Sequence, residues 1–333
     1  IRGRPENCLN SDPLCVEIVA HNGISESTVA WLESSTLLAM KEFPLTVNEL
    51  VAPPESPPSV PARLDRLGVI VWHPEHSNSE NVAKSLCRFL QSGCSDGNID
   101  EGYRLYEHGM ICKCATGGAH PLGTEDWIIK SANYYKEGPD HPDTPHDWVA
   151  DGRKIHIHEF FHIYQNAKGR LARVQAIRTG RDDPAGIEFR GPSWLAEGSA
   201  EYAGFHVISK AGLHPIKEQL AYILDSTKPK LLVGQKRYGI ADAVTRHDWT
   251  KLDSLNLSGP IIYDLGVVAT AYAISLSSYE AMMVDYWDDL NGLGSKESFR
   301  KNIGLSFEQF YIKFAKMMEL SNSEILEILG YVQ

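Results

Sequence analysis

The sequence is short of positive charge. Its 333 residues include 32 lysines and arginines against 43 aspartates and glutamates, so the formal net charge is -11. Nucleic acids and anionic membrane surfaces attract proteins with a basic face, and this balance therefore argues against both as partners. Hydrophobic residues make up 43% of the chain and charged residues 23%, which is ordinary for a globular protein with a substantial core.

A long uninterrupted apolar run is also missing. The most apolar stretch covers residues 259–276, and it contains Tyr263, Asp264 and Tyr272. A transmembrane helix needs about 20 consecutive, predominantly apolar residues. We therefore expect this stretch to be a buried helix and predict no membrane span. The chain starts at Ile1 without an initiator methionine or a signal-peptide pattern, as expected of a processed chain.

Cysteine is absent from the chain after residue 114. The six cysteines all lie within the first 114 residues: Cys8, Cys15, Cys87, Cys94, Cys112 and Cys114. Cys8 and Cys15 share the spacing C-x6-C with Cys87 and Cys94, which suits short-loop disulfides. Cys112 and Cys114 would more easily pair with other cysteines than with each other, for example with Cys87 and Cys94. Reduced cysteines in a cytosolic protein and a metal site are alternatives. The even number favours disulfides and a secreted or periplasmic protein.

The N-terminal half is predicted to mix irregular segments with short helices and strands. Residues 1–23 and 115–123 are expected to be irregular, and five prolines within 51–61 predict an extended connection. Regular elements are predicted as a helix over 25–42, a strand over 67–72, a helix over 79–90, a strand or hairpin over 102–114, and a strand or helix over 127–135.

One stretch carries a pattern of metal ligands, namely His158-Glu159-x-x-His162. On an α-helix, positions i and i+4 lie on one face, so both imidazoles can reach one ion. Glu159 follows the first histidine directly, where its carboxylate can reach a water molecule instead of the ion. Zinc held by three protein groups lowers the pKa of a water towards about 7, which permits amide hydrolysis at neutral pH. The alternative is a core helix with two satisfied histidines.

The helix that carries this motif is predicted to span residues 149–168. Lys168 and Gly169 supply a cation in the last turn and a glycine stop. His156 lies two positions before His158 and hence on a different face. We predict that His156 packs against the core or supports a ligand, and that it does not bind metal.

A second helix, predicted over 192–210, carries two acids. Glu197 and Glu201 are one turn apart and share a face. Their neighbours Trp194 and Leu195 are apolar, and buried acids are costly unless a positive charge neutralises them. A zinc ion with its histidines would supply that charge.

The two motifs together resemble those of gluzincin metallopeptidases, in which a Glu on a second helix completes the His-Glu-x-x-His site. Residues 194–202, Trp-Leu-Ala-Glu-Gly-Ser-Ala-Glu-Tyr, are similar to the Trp-x-x-Glu-Gly-x-Ala-Glu of aminopeptidase-N-like and bacterial-collagenase-like members. The resemblance implies that Glu197 is the third zinc ligand and that Glu201 orients a ligand histidine. The gap between His162 and Glu197 is longer than in the aminopeptidase-N branch, so that branch is not assigned.

The C-terminal part is predicted to be mainly helical, with helices over 216–224, 259–276, 279–290 and 306–320. The last begins at a capping Ser306, which resembles the C-terminal signature of gluzincins. Pro260 to Gly266 loosely resembles the Pro-Tyr-x-x-Gly of aminopeptidase-N-like enzymes, with two residues inserted after the proline. This makes Tyr263 a candidate donor to the oxyanion, with Tyr202, His206 or a purely structural tyrosine as alternatives.

These observations predict an α+β fold: a zincin-like catalytic domain with a small mixed sheet before the zinc helix and a mainly helical C-terminal part. The expected regions are 1–66, irregular and helical; 67–210, zincin-like; and 211–333, a helical subdomain. The resemblance implies a zinc metallopeptidase that acts on peptides or proteins. A zinc-containing binding or scaffold domain and a zinc hydrolase with a non-peptide substrate are alternatives. Aminopeptidase-N-like enzymes hold the N-terminus of the substrate with a Gly-x-Met-x-Asn pattern. That pattern is not evident in this sequence, which favours an endopeptidase.

Overall fold

The computed structural model describes residues 14–46, 49, 66–73, 76–85, 116–121, 127–132, 152–172, 179, 190–225 and 260–331. The chain divides into two compact units, Ile1–Ala167 and Lys168–Gln333. The predicted elements over 51–61 and 102–114 lie outside the described residues, as do five of the six cysteines. Cys15 lies within them and is buried. The disulfides and the export that they favour stay predictions.

The first unit contains a four-stranded mixed sheet. Its strands are β1 (Cys15–Ala20), β2 (Arg66–Trp72), β3 (Thr116–Pro121) and β4 (Trp127–Ala132), in the order β1-β2-β4-β3. The first three strands of that order are parallel, and β3 is antiparallel to β4 at the edge. Strands covered on both faces have continuous apolar runs, and residues 67–72 are accordingly all buried. The small mixed sheet agrees with the predicted α+β class.

Two of these strands lie where irregular structure was predicted, so both predictions were wrong. β1 falls within residues 1–23, and a buried charged residue, Glu17, interrupts its apolar pattern. β3 falls within residues 115–123 and contains two glycines and a proline, which are depleted in strands. Each strand is held by a regular ladder with its neighbour, so pairing within the sheet overrides a weak local preference.

The helices described in the first unit are α1 (Glu26–Glu42), α2 (Ser79–Ser85) and α3 (Gly152–Lys168). The Ser25 hydroxyl accepts a hydrogen bond from the Thr28 amide and caps α1, which matches the helix predicted over 25–42. Just after α1, the ring of Phe43 contacts the rings of Phe161 and Tyr164, with centroids 4.7 and 5.5 Å away. These contacts pack the end of α1 against α3, the helix with the His-Glu-x-x-His motif.

The described residues of the second unit are mainly helical. Its helices are α4 (Ser193–Lys210), α5 (216–225), α6 (Pro260–Leu276), a π-helical turn (Ala281–Asp285), α7 (Tyr286–Ile303), α8 (Phe307–Met318) and α9 (Asn322–Ile328). The prediction ended one helix at residue 290, and the helical backbone of α7 is interrupted four residues later. A non-helical Gly294, with φ 73°, kinks it. Gly294 therefore separates two helical segments, of which the second was not predicted.

Two contacts fix α4 within its unit. A Cβ atom added at Gly198 would lie 2.1 Å from the carbonyl carbon of Gly266, so α4 and α6 cross where neither helix has a side chain. The Trp194 ring stacks on Phe310 with centroids 5.4 Å apart, and its Nε1–H donates to the Tyr311 hydroxyl at 3.1 Å. Since Glu197 lies between Trp194 and Gly198, these contacts hold the segment that carries it.

The stretch predicted to be a buried helix is α6, and its residues 264–273 are all buried. Within the described ranges, no single helix is both long and apolar enough to cross a membrane. One pair of helices, Ile262–Leu276 with Ala281–Ile303, meets the length and composition criteria only when taken together, and it is bent by 118°.

Candidate metal centre

α3 presents His158 and His162 on one face, as their i,i+4 spacing requires. Their Nε2 atoms are 3.0 Å apart, and their rings meet edge to face with centroids 4.7 Å apart. His158 is buried and His162 is half-buried. Two imidazole nitrogens so close together suit a shared proton or a shared cation.

Glu197 joins the two histidines in a group that could hold a metal ion. Each of the three residues offers one ligand atom, and these atoms all lie within 4.8 Å of one another. Two imidazoles with one carboxylate form a donor set that suits zinc and several other divalent transition metals. No other group of three or more His, Cys, Asp or Glu residues of this kind was found in the part of the chain that the structure describes.

The hydrogen bond at Nδ1 of His162 fits a metal ligand. Its Nδ1 lies 2.8 Å from the amide oxygen of Gln165, a residue that is 0% exposed. An amide oxygen only accepts hydrogen bonds, so Nδ1 carries the proton and Nε2 keeps its lone pair. Sequence reasoning did not single out Gln165. Its position three residues after His162 on a helix places it within reach of that side chain, but the sequence gives no sign that it is buried.

Two further acids lie on the same helices as the ligands. Glu159 follows His158 on α3 and is 9% exposed, and Glu201 lies one turn after Glu197 on α4 and is 8% exposed. Buried carboxylates are costly unless they are hydrogen-bonded or neutralised. Their burial agrees with the predicted roles of general base for Glu159 and ligand support for Glu201, which stay predictions.

His156 lies on another side of α3 and bonds to α1. Its Nε2 is 2.5 Å from the Thr36 hydroxyl, which itself donates to the Leu32 carbonyl at 2.8 Å. The Thr36 oxygen therefore accepts from Nε2–H of His156. Complete burial lowers the pKa of His156 to about 4. The residue is thus a neutral link between two helices and is not part of the His158–His162–Glu197 group.

The three candidate oxyanion donors differ in their surroundings. Tyr263 lies in the first turn of α6 and is 37% exposed. The buried hydroxyl of Tyr202 lies 3.1 Å from that of Tyr331, and burial raises the pKa of Tyr202. His206 lies about two and a half turns after Glu197, on the opposite side of α4. Exposure therefore favours Tyr263 among the three, and its role stays a prediction.

Comparison with known proteins adds no relative. No family model matches the sequence, and no curated protein or solved structure matches it. The case for a metal centre therefore rests on the residues of this chain and on the geometry that brings three of them together.

Proposed function

We propose that this chain is a zinc-dependent metallopeptidase of the gluzincin type, with a zincin-like fold. The observation that carries the proposal is the group His158, His162 and Glu197, with Glu159 beside the first histidine on the same helix. In this proposal the group holds one zinc ion. When bound, zinc would supply a Lewis acid that lowers the pKa of a water molecule and polarises the scissile carbonyl.

Glu159 is the general base in this mechanism. Its carboxylate takes a proton from the water molecule that attacks the carbonyl carbon, and it delivers a proton to the leaving amine as the C–N bond breaks. The new C–O bond leaves a carboxylic acid on one product and an amine on the other. Burial of Glu159 supports this role, because a carboxylate shielded from bulk water transfers its proton to the substrate and does not lose it to solvent.

Two other residues assist in the proposed mechanism. Glu201 orients a ligand histidine by accepting a hydrogen bond from the ring nitrogen that faces away from the metal. Tyr263 donates a hydrogen bond to the oxyanion as it forms, and such a donor is typically worth about 2.7–4 kcal/mol. The exposure of Tyr263 supports this role, because a donor to substrate needs a hydroxyl that the substrate can reach.

The edge strand β3 supports a peptide as the substrate. β3 pairs with β4 on one side, and no other described strand pairs with it. A sheet edge offers its free backbone N–H and C=O groups to an extended peptide, which can add to the sheet as a further strand.

The test is cleavage of a mixed peptide library by the wild type and by Glu159→Gln. The wild type should cleave peptides, a chelator should stop the reaction, and added zinc should restore it. Glu159→Gln should keep its metal while losing about 100- to 10,000-fold in turnover. Glu218→Gln, which changes an exposed acid of α5, should cleave like the wild type.

Each other outcome has a definite meaning. Turnover at the wild-type level in Glu159→Gln would contradict the mechanism, because the cleavage would then not depend on Glu159. Bound zinc without cleavage of any peptide would instead favour a binding or scaffold domain, or a hydrolase with another substrate.

A further inference from the structure

The amide of Gln165 lies directly behind one of the proposed ligands. Gln165 is on α3 one turn after His162, and its Oε1 is 2.8 Å from Nδ1 of that imidazole. The residue is completely buried, so bulk water does not compete for this hydrogen bond. The other ring nitrogen, Nε2, faces His158 at 3.0 Å. The same imidazole therefore bonds to Gln165 at one end and contributes to the candidate metal group at the other.

We propose that Gln165 is a positioning residue of the metal centre: it holds His162 in the tautomer and orientation that let Nε2 bind the ion. This inference rests on the proposed function. A neutral imidazole carries a single N–H, and the acceptor at Nδ1 keeps the proton there. A ring protonated at Nε2 could not ligate, because its lone pair would point towards Gln165 instead.

The role depends on an acceptor at this position, and this separates it from simple packing. Methionine has nearly the length of glutamine but lacks a good acceptor, so Gln165→Met fills the space and removes the hydrogen bond. Glutamate keeps an acceptor at the same reach, so Gln165→Glu retains it. If Gln165 served only to fill the core, methionine would be the better tolerated of the two, because it buries no charge.

Asn166 provides a matched control on the same turn. Its Nδ2 donates to the backbone carbonyl of His162 at 2.7 Å. Asn166→Ala therefore also removes a side-chain amide that bonds to His162. It should leave the tautomer unchanged.

The experiment measures zinc affinity by competition with a chromophoric chelator, together with the visible spectrum of the Co2+-loaded protein. Gln165→Met should bind zinc about 10- to 100-fold more weakly than the wild type. Its Co2+ spectrum should change as well. Gln165→Glu and Asn166→Ala should both bind zinc as the wild type does. Nitrogen-15 NMR of the wild-type histidines should show the Nδ1–H form for His162, and this measurement requires no variant.

Two results would overturn the inference while leaving the metallopeptidase proposal intact. One is zinc affinity at the wild-type level in Gln165→Met, and the other is the Nε2–H form of His162 in the NMR spectrum of the zinc-free wild type. A wild type that binds no zinc would instead overturn the proposed function and this inference with it. If Gln165→Met and Asn166→Ala lost the same amount of zinc affinity, Gln165 would only stabilise the helix and would not position His162.

Discussion

Replacing Gly198 by alanine tests the helix crossing beside Glu197. The added Cβ would lie 2.1 Å from the carbonyl carbon and 2.2 Å from the carbonyl oxygen of Gly266. Both are backbone atoms, so no side-chain rotation can relieve the clash and α4 and α6 must separate. Overpacking costs about 1–3 kcal/mol, and we take the upper value because the contact is with backbone. Alanine in place of glycine within a helix returns about 1 kcal/mol, so the net loss of stability is about 2 kcal/mol.

Gly292→Ala is the matched control, because a Cβ atom at Gly292 in α7 would meet nothing within 4 Å. It gains the helix preference of alanine without a clash. The assay is thermal unfolding of the zinc-free proteins, in which 1 kcal/mol shifts the midpoint by about 2–4 °C for a cooperative unit of about 150–250 residues, such as Lys168–Gln333. Gly198→Ala should lower the midpoint by about 4–8 °C, whereas Gly292→Ala should raise it by up to about 4 °C. A Gly198→Ala protein as stable as the wild type would refute the close crossing.

Two further substitutions test hydrogen bonds in the two units. Thr36→Val should destabilise the protein by about 1–3 kcal/mol in a urea titration, because buried Nε2–H of His156 loses its acceptor; an unchanged midpoint would contradict that bond. Hydrogen bonds from Lys301 and Asn302 lower the pKa of Asp289 in the folded protein. The ionised carboxylate therefore stabilises the fold at any pH above its pKa in the unfolded chain. This stabilisation is lost as the pH falls through the lower pKa of the folded protein. Asp289→Asn should therefore be less stable than the wild type at neutral pH, and the difference should shrink below about pH 3.9. A difference independent of pH would show that the ionised carboxylate is not responsible.

The helices were predictable where residues at their ends carry the signal. Ser306 caps α8 at the predicted position, in a capping box with Gln309, and Ser25 caps α1 at the start of the helix predicted over 25–42. β3 was not predictable, because its Gly-Gly and proline argue against a strand and its stability comes from pairing with β4. The helical segment after Gly294 was not predicted either, because a glycine that ends one helix gives no sign that another begins directly after it.

The candidate site was predictable in part, for a similar reason. The spacing of His158 and His162 places them on one face of any helix, so they required no knowledge of the fold. Glu197 required the resemblance to gluzincins, since its distance along the chain gives no indication of proximity. Gln165 was overlooked because a glutamine near the end of a helix is usually a surface residue. Only the structure shows that it is buried against the imidazole of His162.

Elemental analysis of the protein, purified without chelators, tests the central claim most directly. The comparison is between the wild type, His162→Ala and His76→Ala, the last being an exposed histidine of the first unit. The account predicts one zinc ion per chain in the wild type and in His76→Ala, and little or none in His162→Ala. A metal-free wild type, or a His162→Ala protein that keeps its full zinc content, would contradict it.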